Sequence, residues 1–394
     1  MRLPLLLVLP LLVLNGLVDW YICRTIDRRK HKLLWNVAVW SSVLLALFFV
    51  FIIAVPKKSG SDSDLTSLMW SLFGYFTVYI GKYFYCLIDL FGKIPCLFRH
   101  KRIKAFRTAG IVIGCGASAL IVWGAFNRYN IDVEDVVITD PTLPHAFDGF
   151  RIVQLSDIHT GTYGTDTTFL SRVVDRVNAL NPDIILFTGD IVNRHSPELE
   201  PFVGTLGRLK ARYGVYSVLG NHDYGDYYQW DSDSAKMADR RNLARLEERM
   251  GWRLLNNEHQ IIRCGGDSLV LIGVENIGDP PFPVYGDLDA AYPALDDESF
   301  KILMSHNPVH WVEDIKDAPD KRIALTLSGH THAMQISLLG LSPAALRYKT
   351  WGGLYESADS DNRLYVNIGI GEVGFPARIG ATPEITLFTL RSEN

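Results

Sequence analysis

Five short blocks of potential metal-binding side chains lie in the C-terminal two thirds of the chain. In order they are Ser156-Asp157-Ile158-His159, Thr188-Gly189-Asp190, Gly220-Asn221-His222-Asp223, Ser305-His306-Asn307-Pro308 and Ser328-Gly329-His330-Thr331-His332. Carboxylate, imidazole and amide groups bind metal ions, and imidazole also exchanges protons near neutral pH. A single histidine of this kind is more often structural or at the surface, but five ordered blocks in one region together indicate a metal site.

Each block follows a short apolar run that predicts a β-strand. The first predicted strand is Arg151–Leu155, and the next is Ile184–Phe187. Between them, apolar residues at helical spacing predict a helix over residues 167–180. This order is a βαβ unit and implies parallel pairing. Because ligands in open α/β sheets collect at the carboxyl ends of the strands, we expect the five blocks to meet.

The blocks, in this order, resemble those of the calcineurin-like metallophosphoesterases, whose pattern reads D-x-H, G-D, G-N-H-[DE], a lone H and G-H-x-H. The match extends from Arg151 to the C-terminus, and residues 367–371, Pro376-x-Arg378 and Pro383-Glu384-Ile385 resemble a membrane-associated bacterial branch of that family. The resemblance implies an α/β fold, a four-layer αββα sandwich over residues 127–394, and a metal-dependent hydrolase of phosphoric esters.

By this resemblance, seven side chains bind two metal ions that lie about 3.5–4 Å apart. The first metal would be bound by Asp157, His159 and His332, the second by Asn221, His306 and His330, and Asp190 would bridge the two. This mixture of ligands suits Mn, Fe, Zn or Ni better than Mg or Ca, which prefer oxygen ligands. A metal-activated water would then hydrolyse a phosphomonoester or phosphodiester without a covalent enzyme intermediate.

His222 and Asp223 are the predicted catalytic residues. His222 follows the ligand Asn221, so the same turn can direct it at the substrate, where the family role is to stabilise developing charge or to protonate the leaving oxygen. Asp223 is predicted to orient this ring by accepting its other N–H. The chain departs from the family after the last block, because Ala333 and Met334 stand where relatives usually have two glycines. Their side chains would narrow the pocket.

The first 126 residues differ in composition from the rest. Up to Phe126 there are 15 Lys and Arg, five Asp and no Glu, whereas the remainder has 24 basic and 38 acidic residues. Four apolar stretches cover residues 3–22, 35–55, 65–90 and 109–126, and a helix needs roughly 20 apolar residues to cross a bilayer. We predict a membrane domain of about four transmembrane helices over residues 1–126 and a catalytic domain over 127–394. A cleaved signal peptide is the alternative for the first stretch.

Loop charges predict the orientation of the chain in the cytoplasmic membrane. The first and third loops each carry at least five Lys and Arg, the second carries two, and short basic loops stay in the cytoplasm. With four spans, the N-terminus and the catalytic domain would both lie outside. The third stretch contains Lys82 and Asp89, which would also fit a helix on the membrane surface. In that case the catalytic domain would be cytoplasmic.

The substrate is predicted from the setting of the site. The acidic catalytic part argues against binding nucleic acid, and a membrane anchor favours an envelope phospholipid or a lipid-linked phosphate. Residues 338–346 are predicted to form an apolar loop, and the following Arg347 and Lys349 would bind an anionic lipid phosphate. The alternative is an ordinary surface loop. Two alternatives stay open: a phosphodiesterase for soluble nucleotide-type substrates, and a membrane sensor or partner-binding protein that carries a phosphoesterase domain.

Overall fold

A computed structural model of the chain describes residues 5–54, 58–280, 282–293, 299–318, 321–358 and 360–393. It contains two compact units. One consists of Met1–Phe126 with Gly374–Ala377, and the other of Asn127–Val373 with Arg378–Asn394. Leu3 and Val55, at the predicted ends of two apolar stretches, lie outside the described residues.

Long apolar helices make up most of the first unit. They are α1 (Leu5–Thr25), α2 (Lys32–Ala54), α3 (Asp62–Phe91) and α5 (Ala105–Asn127), with the one-turn helix α4 (Ile94–Leu97) before α5. By length and composition, three helices among the described residues are candidate membrane spans, namely α1, α2 and α5. The helix α3 carries Lys82 and Asp89, yet its Tyr75 and Tyr79 pack with Phe49 of α2 in the core of this unit.

The charged groups of α3 are paired within the first unit. Lys82 Nζ lies 2.7 Å from Asp19 Oδ1 of α1, and the Tyr79 hydroxyl donates to the other oxygen of Asp19 at 2.8 Å. Asp89 is fully buried and accepts a hydrogen bond from the Arg102 guanidinium. Buried charges are tolerated in apolar surroundings when they are paired and hydrogen-bonded. The charges of α3 are therefore compatible with a helix packed among apolar neighbours.

The second unit is built from strands and shorter helices. Its strands are β1 (Asp132–Asp140), β2 (Arg151–Leu155), β3 (Ile184–Phe187), β4 (Val215–Ser217), β5 (Trp252–Leu254), β6 (Glu258–Cys264), β7 (Asp267–Gly273), β8 (Lys301–Met304), β9 (Leu325–Ser328), β10 (Gly353–Glu356), β11 (Arg363–Val366) and β12 (Glu384–Ser392). Its α-helices are α6 (Thr168–Ala179), α7 (Val203–Leu206), α8 (Asp233–Arg249) and α9 (Leu288–Ala291). The strands form two mixed sheets of six, in the orders β1-β12-β2-β3-β4-β5 and β10-β11-β9-β8-β7-β6.

The two sheets pack face to face, and helices cover their outer faces. Strand β3 shows the pattern, because alternate side chains of a strand point to opposite faces. Ile184 and Leu186 join the core shared with the second sheet, whereas Ile185 and Phe187 pack against α6 and α8. On the far side, α9 and the helical turn Trp311–Ile315 cover the second sheet. The order of layers is α, β, β, α, which confirms the fold that the resemblance implied.

Burial of Glu247 on α8 predicts a pH-dependent stability. Burial raises the pKa of its carboxyl from 4.5 to about 7, and the Ser217 hydroxyl donates a hydrogen bond to one of its oxygens. Because the folded-state pKa is higher than the unfolded one, the stabilisation is complete below about pH 4.5 and is lost as the pH rises through about 7. The glutamine variant cannot ionise. We therefore expect Glu247→Gln to raise the melting temperature by several degrees near pH 8, with little effect near pH 5.

Circular dichroism of the full-length protein in detergent would measure these melting temperatures. Glu248→Gln is the matched control, because Glu248 is the exposed neighbour of Glu247 on the same helix. This variant should keep the pH dependence of the wild type. If the melting temperature of Glu247→Gln fell with rising pH as much as that of the wild type, ionisation of Glu247 would not be the cause of the pH dependence.

Candidate metal centre

Five strand ends meet in the second unit. Strands β2, β3 and β4 are parallel neighbours in the first sheet, and β8 and β9 are parallel neighbours in the second. The segments that follow them carry all seven predicted metal ligands: Asp157, His159, Asp190, Asn221, His306, His330 and His332. Parallel neighbours end at the same edge of a sheet, so side chains that are far apart in sequence come together there.

One group of potential ligand atoms belongs to Asp157, His159 and His332, and these atoms all lie within 4.8 Å of one another. His332 Nε2 lies 3.2 Å from Asp157 Oδ1 and 3.0 Å from His159 Nε2. All three side chains are buried. This is the set that the resemblance assigned to the first metal.

A second group belongs to Asp190, His306 and His330, again with all ligand atoms within 4.8 Å of one another. The amide oxygen of Asn221 adds to this group, because it lies 3.2 Å from His306 Nε2 and 2.8 Å from His330 Nδ1. These are the residues predicted to hold the second metal.

Asp190 reaches both groups. Its Oδ2 lies 3.2 Å from His306 Nε2 in the second group and 3.6 Å from His159 Nε2 in the first. Its other oxygen accepts the backbone N–H of His222 at 2.8 Å, which fixes the orientation of the carboxylate. One carboxylate oxygen therefore lies within 3.6 Å of a histidine nitrogen from each group.

The spacing of these atoms fits metal coordination. When metal–nitrogen bonds are 2.0–2.1 Å long, tetrahedral ligand atoms lie about 3.3 Å apart, and the separations here run from 2.8 to 3.6 Å. The ring of His306 is oriented for ligation because its Nδ1–H donates to the Thr188 carbonyl at 2.7 Å, which leaves Nε2 to face Asp190. The residues of both groups therefore have donor atoms and spacings that fit metal binding.

The electrostatics of the cluster favour positive charge at its centre. Burial alone would raise the pKa of Asp190, but His306, His222 and His159 hold it well below its usual range. Burial alone would lower the pKa of His306, but Asp190 raises it to about 9. Burial lowers the pKa of His330 to about 3, so this ring is neutral, as metal ligation requires.

Strained backbone accompanies the predicted ligands. Five of the seven adopt positive φ: Asp157 (53°), His159 (50°), Asp190 (60°), His330 (75°) and His332 (50°). For residues other than glycine this conformation is uncommon, costs of the order of 1–3 kcal/mol and clusters at functional sites. Ala333 and Met334 also have positive φ, 51° and 46°. Glycine adopts such angles without steric cost, so the backbone at these two positions would also accommodate glycine.

His222 is held by a backbone carbonyl and an aromatic ring. Its Nδ1–H donates to the Asn193 carbonyl at 2.6 Å, and the ring stacks on Tyr227 with 4.1 Å between centroids. The prediction that Asp223 orients this ring is wrong. The Asp223 carboxylate instead accepts four backbone N–H groups, those of Asp190, Ile191, Val192 and Gly220. Asp223 therefore fixes the two turns that present Asp190 and Asn221.

Three further side chains contact the predicted ligands. The Tyr227 hydroxyl accepts a hydrogen bond from Asn221 Nδ2 at 2.9 Å. The Tyr348 hydroxyl lies 3.0 Å from His330 Nε2, and Arg378 Nη2 lies 3.2 Å from His332 Nδ1. Neither Tyr227 nor Tyr348 was among the predicted site residues, although the first lies in an aromatic segment after His222 and the second lies beside two cationic residues.

The two predicted substrate residues lie on the surface beside the centre. Arg347 and Lys349 are both exposed, and Arg347 Nη2 lies 2.9 Å from Asp279 Oδ2. Tyr348, between them, is the side chain that reaches His330. The Arg347 guanidinium is therefore engaged in joining two loops.

Comparison with known proteins agrees with this geometry. Residues 150–334 match the family described as calcineurin-like phosphoesterase, and residues 1–128 match the one described as probable calcineurin-like phosphoesterase, transmembrane domain. The uncharacterized metallophosphoesterase YkuE of Bacillus subtilis (strain 168) is 31% identical over 304 residues, which cover 72% of this chain and 96% of that protein. The transmembrane protein with metallophosphoesterase domain of Danio rerio is 32% identical over 332 residues, which cover 79% and 72%.

Similarity over nearly the whole length is found with the uncharacterized metallophosphoesterase Cj0846 of Campylobacter jejuni, which is 24% identical over 97% of both chains. Fold and site together define a membrane-associated hydrolase of phosphoric esters. The chain belongs to the calcineurin-like metallophosphoesterases, a family that uses divalent metal ions.

Proposed function

We propose that residues 127–394 form the catalytic domain and hydrolyse a phosphomonoester or phosphodiester with two metal ions held by the seven residues named above. The observation that carries this proposal is the position of Asp190, whose Oδ2 faces a histidine of each ligand group. The mixed imidazole, carboxylate and amide set suits Mn, Fe, Zn or Ni. Bound there, such ions would make a nucleophile from water and offset negative charge on the phosphate oxygens.

His222 is the proposed proton donor to the leaving oxygen. Because its Nδ1–H is used by the Asn193 carbonyl, Nε2 is the nitrogen that remains for the substrate. Burial lowers the pKa of His222, which makes its protonated form a stronger acid. Stacking on Tyr227 keeps the plane of the ring fixed while the proton moves.

We propose that residues 1–126 form a membrane domain of four crossing helices, α3 included. Its 30 residues correspond to about 45 Å of helix, longer than the roughly 30 Å core of a bilayer. Its two charges are paired with Asp19 and Arg102, so they do not require a position at the membrane surface. With the basic first and third loops in the cytoplasm, four crossings put the catalytic domain on the outer side of the cytoplasmic membrane.

Cysteine labelling in intact cells tests this topology. In a full-length chain without its native cysteines, Val137→Cys should react with a membrane-impermeant maleimide added outside, because Val137 is exposed on β1. Arg29→Cys, in the exposed first loop, should react only after the cells are permeabilised. The reverse pattern would place the catalytic domain in the cytoplasm.

The proposed substrates are envelope phospholipids or lipid-linked phosphates, because a membrane anchor confines the site to that surface. The acidic composition of residues 127–394 continues to disfavour nucleic acid as a partner. The test is hydrolysis of bis-p-nitrophenyl phosphate, p-nitrophenyl phosphate and phosphatidic acid by the purified full-length protein. Turnover should disappear on chelation and return with added Mn. A folded protein that binds no metal would contradict the two-metal proposal, and a preference for nucleotide diesters would contradict the lipid assignment.

A further inference from the structure

Exposed apolar side chains concentrate on two loops of the second unit. Eleven large apolar side chains are exposed in the described part of residues 127–393, and six of them lie on these loops. We call this set the apolar rim: Phe282, Val284, Leu338, Leu339, Leu341 and Leu346. The solvent-accessible surface of these residues, relative to the fully exposed residue, is 102% for Leu339, 93% for Leu346 and 76% for Leu341. Leaving a leucine in water forgoes about 1.5–3 kcal/mol of burial, and contiguous exposed apolar surface marks interaction sites.

The apolar rim adjoins the proposed metal centre. Phe282 lies 5.8 Å, between ring centroids, from Tyr227, which stacks on His222. On the other loop, Tyr348 follows two residues after Leu346 and reaches His330. The ion pair between Arg347 and Asp279 joins the two loops at 2.9 Å. A substrate that enters the centre beside these loops therefore passes apolar surface.

Charge and composition identify what would cover the rim. Lys349 is exposed directly after the apolar loop, and a cationic side chain beside inserted apolar ones is the combination that binds anionic lipid surfaces, at about 1 kcal/mol for each such Lys. Tyr348 adds a side chain of the type enriched at membrane interfaces. The described part of the same chain carries three candidate membrane spans, and an anchor of this kind would keep the domain near a bilayer.

We infer that the apolar rim docks on the anionic surface of the bilayer and that the metal centre takes its phosphate ester from lipid at that surface. The substrate part of this inference rests on the proposed phosphoesterase function, whereas the docking part does not. Leu339, Leu341 and Leu346 enter the head-group layer, Lys349 faces the lipid phosphates, and Arg347 braces the two loops through Asp279.

Depth-dependent quenching tests the docking without using catalysis. The full-length chain, with its native cysteines replaced, is placed in nanodiscs of phosphatidylcholine and phosphatidylglycerol, and Leu339→Cys is labelled with an environment-sensitive fluorophore. Nitroxide-labelled lipid should quench this fluorophore by at least about half, as expected for insertion of 5–10 Å. Met237→Cys is the matched control, because Met237 is exposed on α8 outside the rim, and it should stay unquenched. Equal quenching at the two positions, or none at Leu339, would overturn the inference.

Substrate selectivity tests the functional part. In the triple variant Leu339→Ser, Leu341→Ser, Leu346→Ser, hydrolysis of phosphatidic acid in vesicles should fall at least about tenfold, a loss of about 1.4 kcal/mol. Hydrolysis of soluble bis-p-nitrophenyl phosphate should change less than about twofold, as should both activities of the control Met237→Ser. An equal loss of activity on both substrates would mean that the loops only support the metal centre, and this result would overturn the inference. Unchanged hydrolysis of phosphatidic acid would overturn it as well. A wild type inactive on both substrates would contradict the proposed function, while the quenching result would still decide the docking.

Discussion

Asp190→Asn is expected to reduce metal-dependent turnover by about a thousandfold or more, while the protein remains folded. The change keeps one oxygen, which can still accept the His222 N–H, but it removes the negative charge and replaces the second oxygen with an amide nitrogen that cannot bridge two cations. A metal contributes several kcal/mol to stabilising charge in the transition state, and about 4 kcal/mol corresponds to a thousandfold in rate. We expect the bound metal, measured by mass spectrometry of the purified protein, to fall from two ions per chain to one or none.

Asp183→Asn is the matched control for this variant. Asp183 lies at the opposite end of β3, where its carboxylate accepts the backbone N–H of Arg151, and asparagine can replace that acceptor. Turnover and metal content should therefore stay close to the wild type. Two metal ions per chain and undiminished turnover in Asp190→Asn would exclude Asp190 as the bridging ligand.

His222→Ala is expected to lower kcat by about 10²- to 10⁴-fold, the range for a positioned general acid, with both metal ions retained. The His222 ring donates to the Asn193 carbonyl and stacks on Tyr227, and we assign it no metal. Its removal should therefore affect the proton transfer and not the metal content. A substrate with an acidic leaving group, such as p-nitrophenolate, needs this proton less, so the loss should be larger for an alkyl phosphate ester.

His259→Ala provides a histidine control with a similar hydrogen bond. His259 Nδ1 lies 3.0 Å from the Ala291 carbonyl, and the residue lies on β6 of the second sheet. This variant should leave kcat unchanged. Loss of metal in His222→Ala would indicate a ligand role, and equal losses for aryl and alkyl esters would contradict the role as an acid.

Much of the fold followed from local pattern. The apolar runs before the metal-binding blocks predicted β2 and β3 with their observed bounds, and the helical spacing over residues 167–180 predicted α6 within one residue at each end. These elements were predictable because buried strands and amphipathic helices repeat their apolar residues with fixed periods. The polar helix α8 was not predicted, because its long charged face obscures the helical period.

The sequence by itself also determined which side chains form the candidate centre. Residue type and position after a strand indicated the five blocks, because parallel strands bring their carboxyl ends to one edge of a sheet. The resemblance to the metallophosphoesterases then implied the seven ligands and His222 within these blocks. The assignment of these ligands to two metals remains a prediction, with the shared position of Asp190 as its support.

Only the tertiary structure decided which groups orient that centre. Asp223 and His222 are adjacent in sequence, yet the carboxylate binds backbone N–H groups some 30 residues away and the ring binds Asn193. Tyr348 and the pairing of Lys82 with Asp19 likewise depend on contacts between distant segments. Hydrogen bonds depend on distance and direction within a few tenths of an ångström, and no sequence period encodes where two separate loops or helices will meet. The ordered motifs therefore indicated the chemistry, whereas tertiary packing determined which partners hold each reacting group in place.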